Sequence, residues 1–124
     1  MGDLTKHFSK SELACKCCGE LVIDERFLDS LELLRFVYNK PIIVTSGYRC
    51  PKHNSEVSHT GETGPHTTGK AVDIRCNGQE TYFLVKIAIM FGFTGIGISQ
   101  KGKGDSRFIH LDTLPDHRPR IWSY

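Results

Sequence analysis

Two histidines and one aspartate have the types and spacing of a metal centre. His66 and Asp73 stand in the segment GPHTTGKAVDI, with Gly69 between them, and His110 lies in the later segment FIHLD. Two imidazoles and one carboxylate, with a fourth position left for water, are the ligand count of a catalytic zinc site rather than of a closed structural one. Such a set suits metal-assisted hydrolysis. Taken singly, each residue is better explained as a solvated or hydrogen-bonded surface group.

Two of these residues belong to segments that alternate like β-strands. Side chains at alternate strand positions lie on the same face of a sheet. Asp73 therefore projects from the face opposite Val72 and Ile74, which are natural core residues. By the same rule, His110 and Asp112 share a face of their own strand. The polar residues thus lie on faces turned away from the core.

The remaining sequence predicts an α+β framework. A Ser-x-x-Glu capping pattern predicts a short helix at residues 9–12. Apolar side chains at helical spacing predict longer helices over residues 24–38 and 79–91. Runs rich in β-branched or apolar residues predict strands at 41–46, 71–75, 95–98 and 107–112. Residues 47–54 have the composition of an irregular segment, and residues 55–68 that of an exposed loop. We expect a small, mainly antiparallel sheet with two or three helices.

Length and composition favour one globular domain spanning residues 1–124, with 39% hydrophobic and 24% charged residues. The net charge of +2, without a long basic run, gives little support for a nucleic-acid partner, so we expect none. No window approaches the roughly 18 apolar residues of a membrane span, and the first residues lack the apolar core of a secretory signal. We therefore expect synthesis in the cytoplasm and no membrane insertion.

Five cysteines are an odd number, which excludes a fully paired disulfide framework. Cys15 and Cys18 form a C-x-x-C pair around Cys17, and Cys50 and Cys76 could complete a structural zinc site with them. Reduced thiols in a cytosolic protein are the alternative, and in the absence of a second C-x-x-C they are favoured. A zinc-knuckle scaffold for nucleic acid is disfavoured because the chain lacks a basic surface studded with aromatic residues.

Motifs along nearly the whole chain resemble those of the zinc D-alanyl-D-alanine carboxypeptidase family of peptidoglycan peptidases, which has the Hedgehog/DD-peptidase fold. HTTGKAVD looks like the first zinc-binding motif of that family, H-x-x-G-x-A-x-D, and FIHLD resembles the second. SGYRCPKHN is similar to the family's S-G-Y-R-x-P-x-x-N segment. RPRIWSY resembles its C-terminal strand, and FSKSELACKCCGE looks like the opening of small phage-type members.

The resemblance implies a role for several residues. One zinc ion would be bound by His66, Asp73 and His110. Arg49 would sit over the cleft and hold a carboxylate or carbonyl oxygen of the substrate, a task suited to its rigid fork of donors. Ser46 and Tyr48, from the same motif, are expected to contact substrate as well.

The general base is less directly indicated. Several branches of the family place a glutamate three residues before the second histidine, where this chain has Arg107, which cannot accept a proton. Asp112 is the predicted replacement because it follows His110 by two positions on the same strand face. An equally weighted alternative is that Asp112 orients the imidazole of His110. The reserve candidates are Asp105, His59 and His117.

The sequence thus predicts a zinc-dependent peptidase that hydrolyses an amide bond in peptidoglycan stem peptides. The bond would be either the L-alanyl-D-glutamate link or a D-alanyl-D-alanine link, and the sequence leaves both open. We expect a monomeric cell-wall lysin of the phage-endolysin type, made in the cytoplasm and acting on the wall, in the periplasm, after release. The alternative is a non-catalytic, zinc-containing wall-binding module of the same fold.

Overall fold

A computed structural model describes residues 2–124 and shows an α+β fold. The helices are α1 (Lys10–Leu13), α2 (Glu25–Tyr38), α3 (Pro51–Val57) and α4 (Gln79–Met90). The strands are β1 (Ile43–Ser46), β2 (Ala71–Arg75), β3 (Gly95–Ser99), β4 (Phe108–Asp112) and β5 (Arg120–Ser123). They form one sheet in the order β1-β2-β4-β3-β5, in which β3 and β5 are parallel and the other neighbours antiparallel. The mainly antiparallel α+β prediction is confirmed, although the described chain has four α-helices rather than two or three.

The longest helix, α2, begins and ends where the sequence predicts. The Asp24 carboxylate accepts a hydrogen bond from the backbone N–H of Phe27 at 2.9 Å, which caps the first turn. Asn39 ends the helix in the left-handed conformation, with φ of 57°. Across residues 2–124, no helix combines the length and apolar character needed to span a bilayer.

Helix α3 corrects the prediction of irregular structure at residues 47–54 and of a loop beginning at residue 55. Pro51 occupies the first turn, where its fixed φ suits a helix and its missing N–H is not needed. The Cys50 sulfur accepts a hydrogen bond from the backbone N–H of His53 at 3.4 Å and takes the place of the usual hydroxyl or carboxylate cap. The prediction was wrong because this cap is a cysteine. A short 3₁₀ turn at Pro65–Thr67 also interrupts the predicted loop.

The two faces of the sheet differ in polarity. One face, with α2 and α4, forms the hydrophobic core, whose strand residues are Val72, Ile74, Ile96, Ile109 and Leu111. Its main helical residues are Phe27, Leu31, Leu34, Leu84 and Ala88. The strand alternation predicted from the sequence is therefore observed, and the opposite face is left for Asp73, His110 and Asp112.

Cys76 lies in this core, where burial raises the pKa of its thiol. Its sulfur accepts a hydrogen bond from the Thr81 hydroxyl at 3.3 Å. The alternative in which Cys76 completes a zinc site with the other cysteines is therefore wrong, because the residue follows β2 into the core instead of approaching Cys15. All five cysteines are free of disulfide bonds.

Candidate metal centre and substrate cleft

The sheet register brings two of the predicted zinc ligands together. Asp73 of β2 lies directly opposite His110 of β4, and His66 comes from the 3₁₀ turn that precedes β2. Oδ1 of Asp73 is 3.2 Å from both Nε2 of His66 and Nδ1 of His110. One ligand atom from each residue lies within 4.8 Å of the other two, and all three residues are buried. The structure thus assembles a compact two-nitrogen, one-oxygen group from distant parts of the sequence.

The remaining nitrogen of each imidazole already has a partner that fixes the ring. Nδ1 of His66 lies 2.8 Å from the Gly47 carbonyl oxygen, which can only accept, so this nitrogen carries the proton. Nε2 of His110 lies 2.7 Å from Oδ2 of Asp112 and donates to it in the same way. The other nitrogen of each ring therefore faces Asp73. In a neutral imidazole this nitrogen carries the lone pair that zinc coordination requires, and in a protonated ring it donates to the carboxylate. Because two neutral imidazoles and a carboxylate match the donors of catalytic zinc, the residues present fit the metal.

Charge within the group follows from these contacts. Burial alone would raise the pKa of Asp73, but hydrogen bonds from His110 and His66 hold the pKa of this carboxyl well below its usual range. Burial alone would lower the pKa of His110, yet its hydrogen bonds to Asp112 and Asp73 raise it. Asp73 is therefore an anion under all ordinary conditions and an attractive partner for a cation.

Asp112 is held by more than His110. Its side chain is fully buried, at 0% exposure, and Arg118 grips both oxygens, with Nε to Oδ1 at 2.9 Å and Nη2 to Oδ2 at 2.7 Å. Burial alone would raise the pKa of Asp112, but the hydrogen bonds from His110 and Arg118 lower it to about 2. A carboxylate with both oxygens engaged and so low a pKa is suited to orienting an imidazole rather than to accepting a proton.

Gly69 makes the bend that carries the chain from His66 into β2. Its φ is +76°, and a Cβ at this position would lie 2.7 Å from the Val22 carbonyl oxygen. The bend is anchored by a hydrogen bond of 2.9 Å from the Asp24 N–H to the Gly69 carbonyl. Both the left-handed conformation and the close approach require glycine.

Replacing this glycine is expected to destabilise the fold. We predict that Gly69→Ala lowers the free energy of unfolding by about 2–4 kcal/mol, through backbone strain plus the clash with Val22. Gly61→Ala is the matched control, because Gly61 has φ of +75° with no atom within 4 Å of the added Cβ. The control should lose only about 1–2 kcal/mol. Urea unfolding measures both, and equal losses would show that the approach to Val22 is unimportant.

A cleft of about 680 Å³ opens over the metal group. Arg49 stands on its wall, with Nε donating to the Ser46 hydroxyl at 3.1 Å and Nη1 to Oδ1 of Asn54 at 3.2 Å. Nη2 lies 3.6 Å from Oδ2 of Asp73. The guanidinium is therefore held in place beside the metal group, over the cleft, as the resemblance implied.

The two residues predicted to contact substrate beside Arg49 do not line the cleft. Ser46 instead accepts the hydrogen bond that positions Arg49. Tyr48 is buried, and burial, together with nearby Glu20 and the thiols of Cys50, Cys15 and Cys18, raises the pKa of its hydroxyl. The structure therefore places Ser46 behind Arg49 and Tyr48 against the cysteine-rich loop.

The candidates for the general base are also separated by the structure. His59 lines the cleft, whereas Asp112, Asp105 and His117 do not. Arg107 points elsewhere, with Nη1 donating to Oδ1 of Asn77 at 2.9 Å. His59 is therefore the member of the predicted set that has access to a bound substrate.

Arg118 and Trp122 are site residues that sequence reasoning did not single out. The Trp122 ring lies 5.3 Å from the His110 ring, and the guanidinium groups of Arg118 and Arg120 lie 5.1 and 5.6 Å from its centroid. The sequence contained only the R-P-R-x-W pattern near the end of the chain as an indication of these residues. Their position depends on the pairing of β5 with β3, which the sequence does not reveal. Both residues line the cleft together with Arg49.

Comparison with known protein families agrees with this geometry. The sequence profile of the family described as Peptidase M15 matches residues 6–112, which include Arg49 and the whole metal group. The chain belongs to the peptidase M15 family. This M15 member is therefore a peptidase with a peptide substrate. The family match confirms the likeness to zinc D-alanyl-D-alanine carboxypeptidases. M15 peptidases depend on zinc, which agrees with the metal group described above. A comparison with curated proteins gives no match.

Proposed function

We propose that this M15 peptidase hydrolyses an amide bond in the stem peptides of peptidoglycan, using zinc held by His66, Asp73 and His110. The observation that carries the proposal is the buried ligand group at the floor of a cleft walled by arginines. Zinc supplies a Lewis acid for the scissile carbonyl and lowers the pKa of water toward neutrality. The side chains around it fix the ligands, hold the substrate and move the proton.

The charge of the cleft supports an anionic substrate. Its lining carries three guanidinium groups, from Arg49, Arg118 and Arg120, of which Arg118 is already paired with Asp112, and the described lining has a single side-chain carboxylate, that of Asp73. Stem peptides carry free carboxylates at D-glutamate and at the terminal D-alanine, and arginine binds such groups through paired hydrogen bonds. Arg49 is the best placed of the three, because it lies beside the ligand group and can also donate to the oxygen on which negative charge develops.

Two bonds of the stem peptide satisfy this charge pattern. An L-alanyl-D-glutamate bond places the D-glutamate carboxylate next to the scissile amide, and a D-alanyl-D-alanine bond places the terminal carboxylate there. Digestion of purified peptidoglycan with mass analysis separates them, because the first leaves a new D-glutamate amino terminus and the second releases free D-alanine. A non-catalytic wall-binding module would instead sediment with the wall and release no fragment, and that result would overturn the proposal.

We also propose that the enzyme is a monomeric lysin that acts on the cell wall after release from the cytoplasm. Support comes from the resemblance of its opening segment to small phage-type members and from the arginine-lined cleft, which suits an anionic stem peptide. The test is lysis: added enzyme should lower the turbidity of cells with a permeabilised outer layer, whereas a remodelling enzyme would alter muropeptides without lysis.

Asp112 is proposed to position His110, not to accept the proton. We predict that Asp112→Asn weakens zinc affinity by roughly 10–100-fold, because a neutral amide is a weaker acceptor for the imidazole and removes the charge that pairs with Arg118. Activity should return when zinc is raised to saturation, which zinc titration followed by turnover measures. If zinc stays bound while turnover is nearly abolished at every zinc concentration, Asp112 is the base after all.

His59 is proposed to take the proton from the attacking water. We predict that His59→Asn lowers kcat by roughly 10²–10⁴-fold with zinc content unchanged, because a general base contributes about this much. His117→Asn is the control, since His117 is an exposed histidine outside the cleft. Steady-state kinetics on a soluble stem-peptide fragment measure both variants. Equal kcat values for His59→Asn and wild type would remove His59 from the mechanism.

A further inference from the structure

A second cluster of metal-ligating side chains lies outside the cleft. Cys15, Cys17 and Cys18 lie in the turn after α1, and Cys50 immediately precedes α3. The sulfur atoms of all four lie within 4.8 Å of one another. The Cys17 sulfur is 3.5 Å from that of Cys15 and 3.4 Å from that of Cys50. Residues far apart in the sequence therefore present four sulfurs to one point.

These distances fit a metal better than disulfide bonds. A disulfide joins two sulfurs at about 2.05 Å, and it would pair Cys17 with only one of its two near-equidistant neighbours. Four thiolates around zinc at about 2.3 Å in a tetrahedron stand about 3.8 Å apart, close to the spacing seen here. Four thiolates this close without a cation would also repel one another strongly.

The backbone around the cluster is shaped to support thiolates. The N–H of Cys50 donates to the Cys15 sulfur at 3.4 Å, and the N–H of His53 donates to the Cys50 sulfur at 3.4 Å. Two short hydrogen bonds close the turn, from the Cys15 N–H to the Glu20 carbonyl at 2.7 Å and from the Gly19 N–H to the Cys15 carbonyl at 2.8 Å. Amide donors directed at sulfur favour the charged form.

We propose that Cys15, Cys17, Cys18 and Cys50 bind a second, structural zinc ion, separate from the catalytic group. Four cysteines fill a tetrahedral site and leave no position for water, which is the mark of a structural rather than a catalytic centre. This site does not depend on the function proposed above, since it shares no ligand with the group at His66.

The cysteine site would hold the segment that organises the cleft. Cys50 is the neighbour of Arg49, and the Tyr48 N–H donates to the Leu13 carbonyl at 2.7 Å. The Gly47 carbonyl, three residues before Cys50, orients the His66 ring. A metal joining Cys50 to the turn after α1 therefore ties residues 47–50 to the N-terminal part of the chain. The second metal would therefore affect catalysis only by positioning Arg49 and the Gly47 carbonyl.

Metal content and cobalt spectra of the purified, reduced protein test the proposal. We expect about two zinc ions per chain in the wild type and about one in both His66→Ala and the double variant Cys17→Ser, Cys18→Ser. With cobalt in place of zinc, His66→Ala should keep the intense sulfur-to-metal absorption and the double variant should lose it. Cys17 and Cys18 are exposed, so their replacement leaves the core intact. Cys76→Ser is the control, because it removes a cysteine outside the cluster and should keep both metals.

One zinc per wild-type chain that His66→Ala removes, with no sulfur-to-cobalt absorption, would overturn the proposal. So would a mass two hydrogens below that of the reduced chain in protein isolated without reductant, since it shows a disulfide. Thiol labelling of the wild type tests the site without any substitution, so its outcome does not depend on whether the double variant folds. In the native protein, thiol-reactive dye should label Cys17 and Cys18 rapidly only after a zinc chelator is added; equal labelling without chelator contradicts the site.

Discussion

Asp73→Asn is expected to remove the catalytic zinc and to lower kcat/KM by about 10³-fold or more. The carboxylate stands between both imidazoles, with Oδ1 at 3.2 Å from each ligand nitrogen, so the change replaces the one anionic ligand by a neutral amide of the same shape. A metal Lewis acid is worth several kcal/mol in the transition state, and each 1.36 kcal/mol is tenfold in rate. Zinc analysis and turnover of a stem-peptide fragment measure the two effects together.

The matched control is Asp105→Asn, which makes the same chemical change in an exposed 3₁₀ turn outside the cleft. It should keep wild-type zinc content and turnover. Circular dichroism and the unfolding midpoint establish that Asp73→Asn is folded, since the loss of a buried ion network could otherwise mimic a loss of metal. A folded Asp73→Asn protein that hydrolyses the fragment at the wild-type rate would contradict the ligand assignment.

Arg49→Ala is expected to lower kcat/KM by roughly 10²–10³-fold while the catalytic zinc stays bound. The guanidinium is already fixed by Ser46 and Asn54, so it meets the substrate without further ordering. Arg49→Lys should be nearly as impaired, because an ammonium keeps the charge but loses the planar fork of donors. Steady-state kinetics of both variants, with zinc analysis, test this.

The division between kcat and KM identifies what Arg49 binds. A higher KM with an unchanged kcat means that it holds a substrate carboxylate in the ground and transition states alike, whereas a lower kcat means that it meets charge developing on the carbonyl oxygen. Arg26→Ala is the control, since Arg26 is exposed on α2. If Arg49→Ala behaves like Arg26→Ala, the cleft does not use this arginine.

Much of the metal group was predictable because it depends on local rules. Strand parity placed Asp73 and His110 on polar faces, and their register across β2 and β4 then made them neighbours. Gly69 indicated a bend between His66 and β2, and the structure shows this residue at φ of +76°. The core was predictable for the same reason, because apolar residues alternate along β2 and β4 and recur at helical spacing along α2.

What the sequence did not reveal depends on tertiary contacts. Helix α3 was missed because its cap is a cysteine sulfur. The ion pair between Arg118 and Asp112 joins the loop before β5 to the end of β4, and no local sequence pattern predicts it. Spacing also grouped Cys76 with the other cysteines, whereas burial in the core separates it and makes Cys17 the fourth member.

The most direct test of the central claim is release of stem-peptide fragments from purified peptidoglycan, followed by mass, for the wild type and for His66→Ala. The wild type should release fragments that end at a single type of bond, should stop when its zinc is chelated and should recover when zinc is restored. His66→Ala should release none. Fragment release that survives both the chelator and the His66→Ala substitution would contradict the assignment of His66, Asp73 and His110 as the catalytic zinc site.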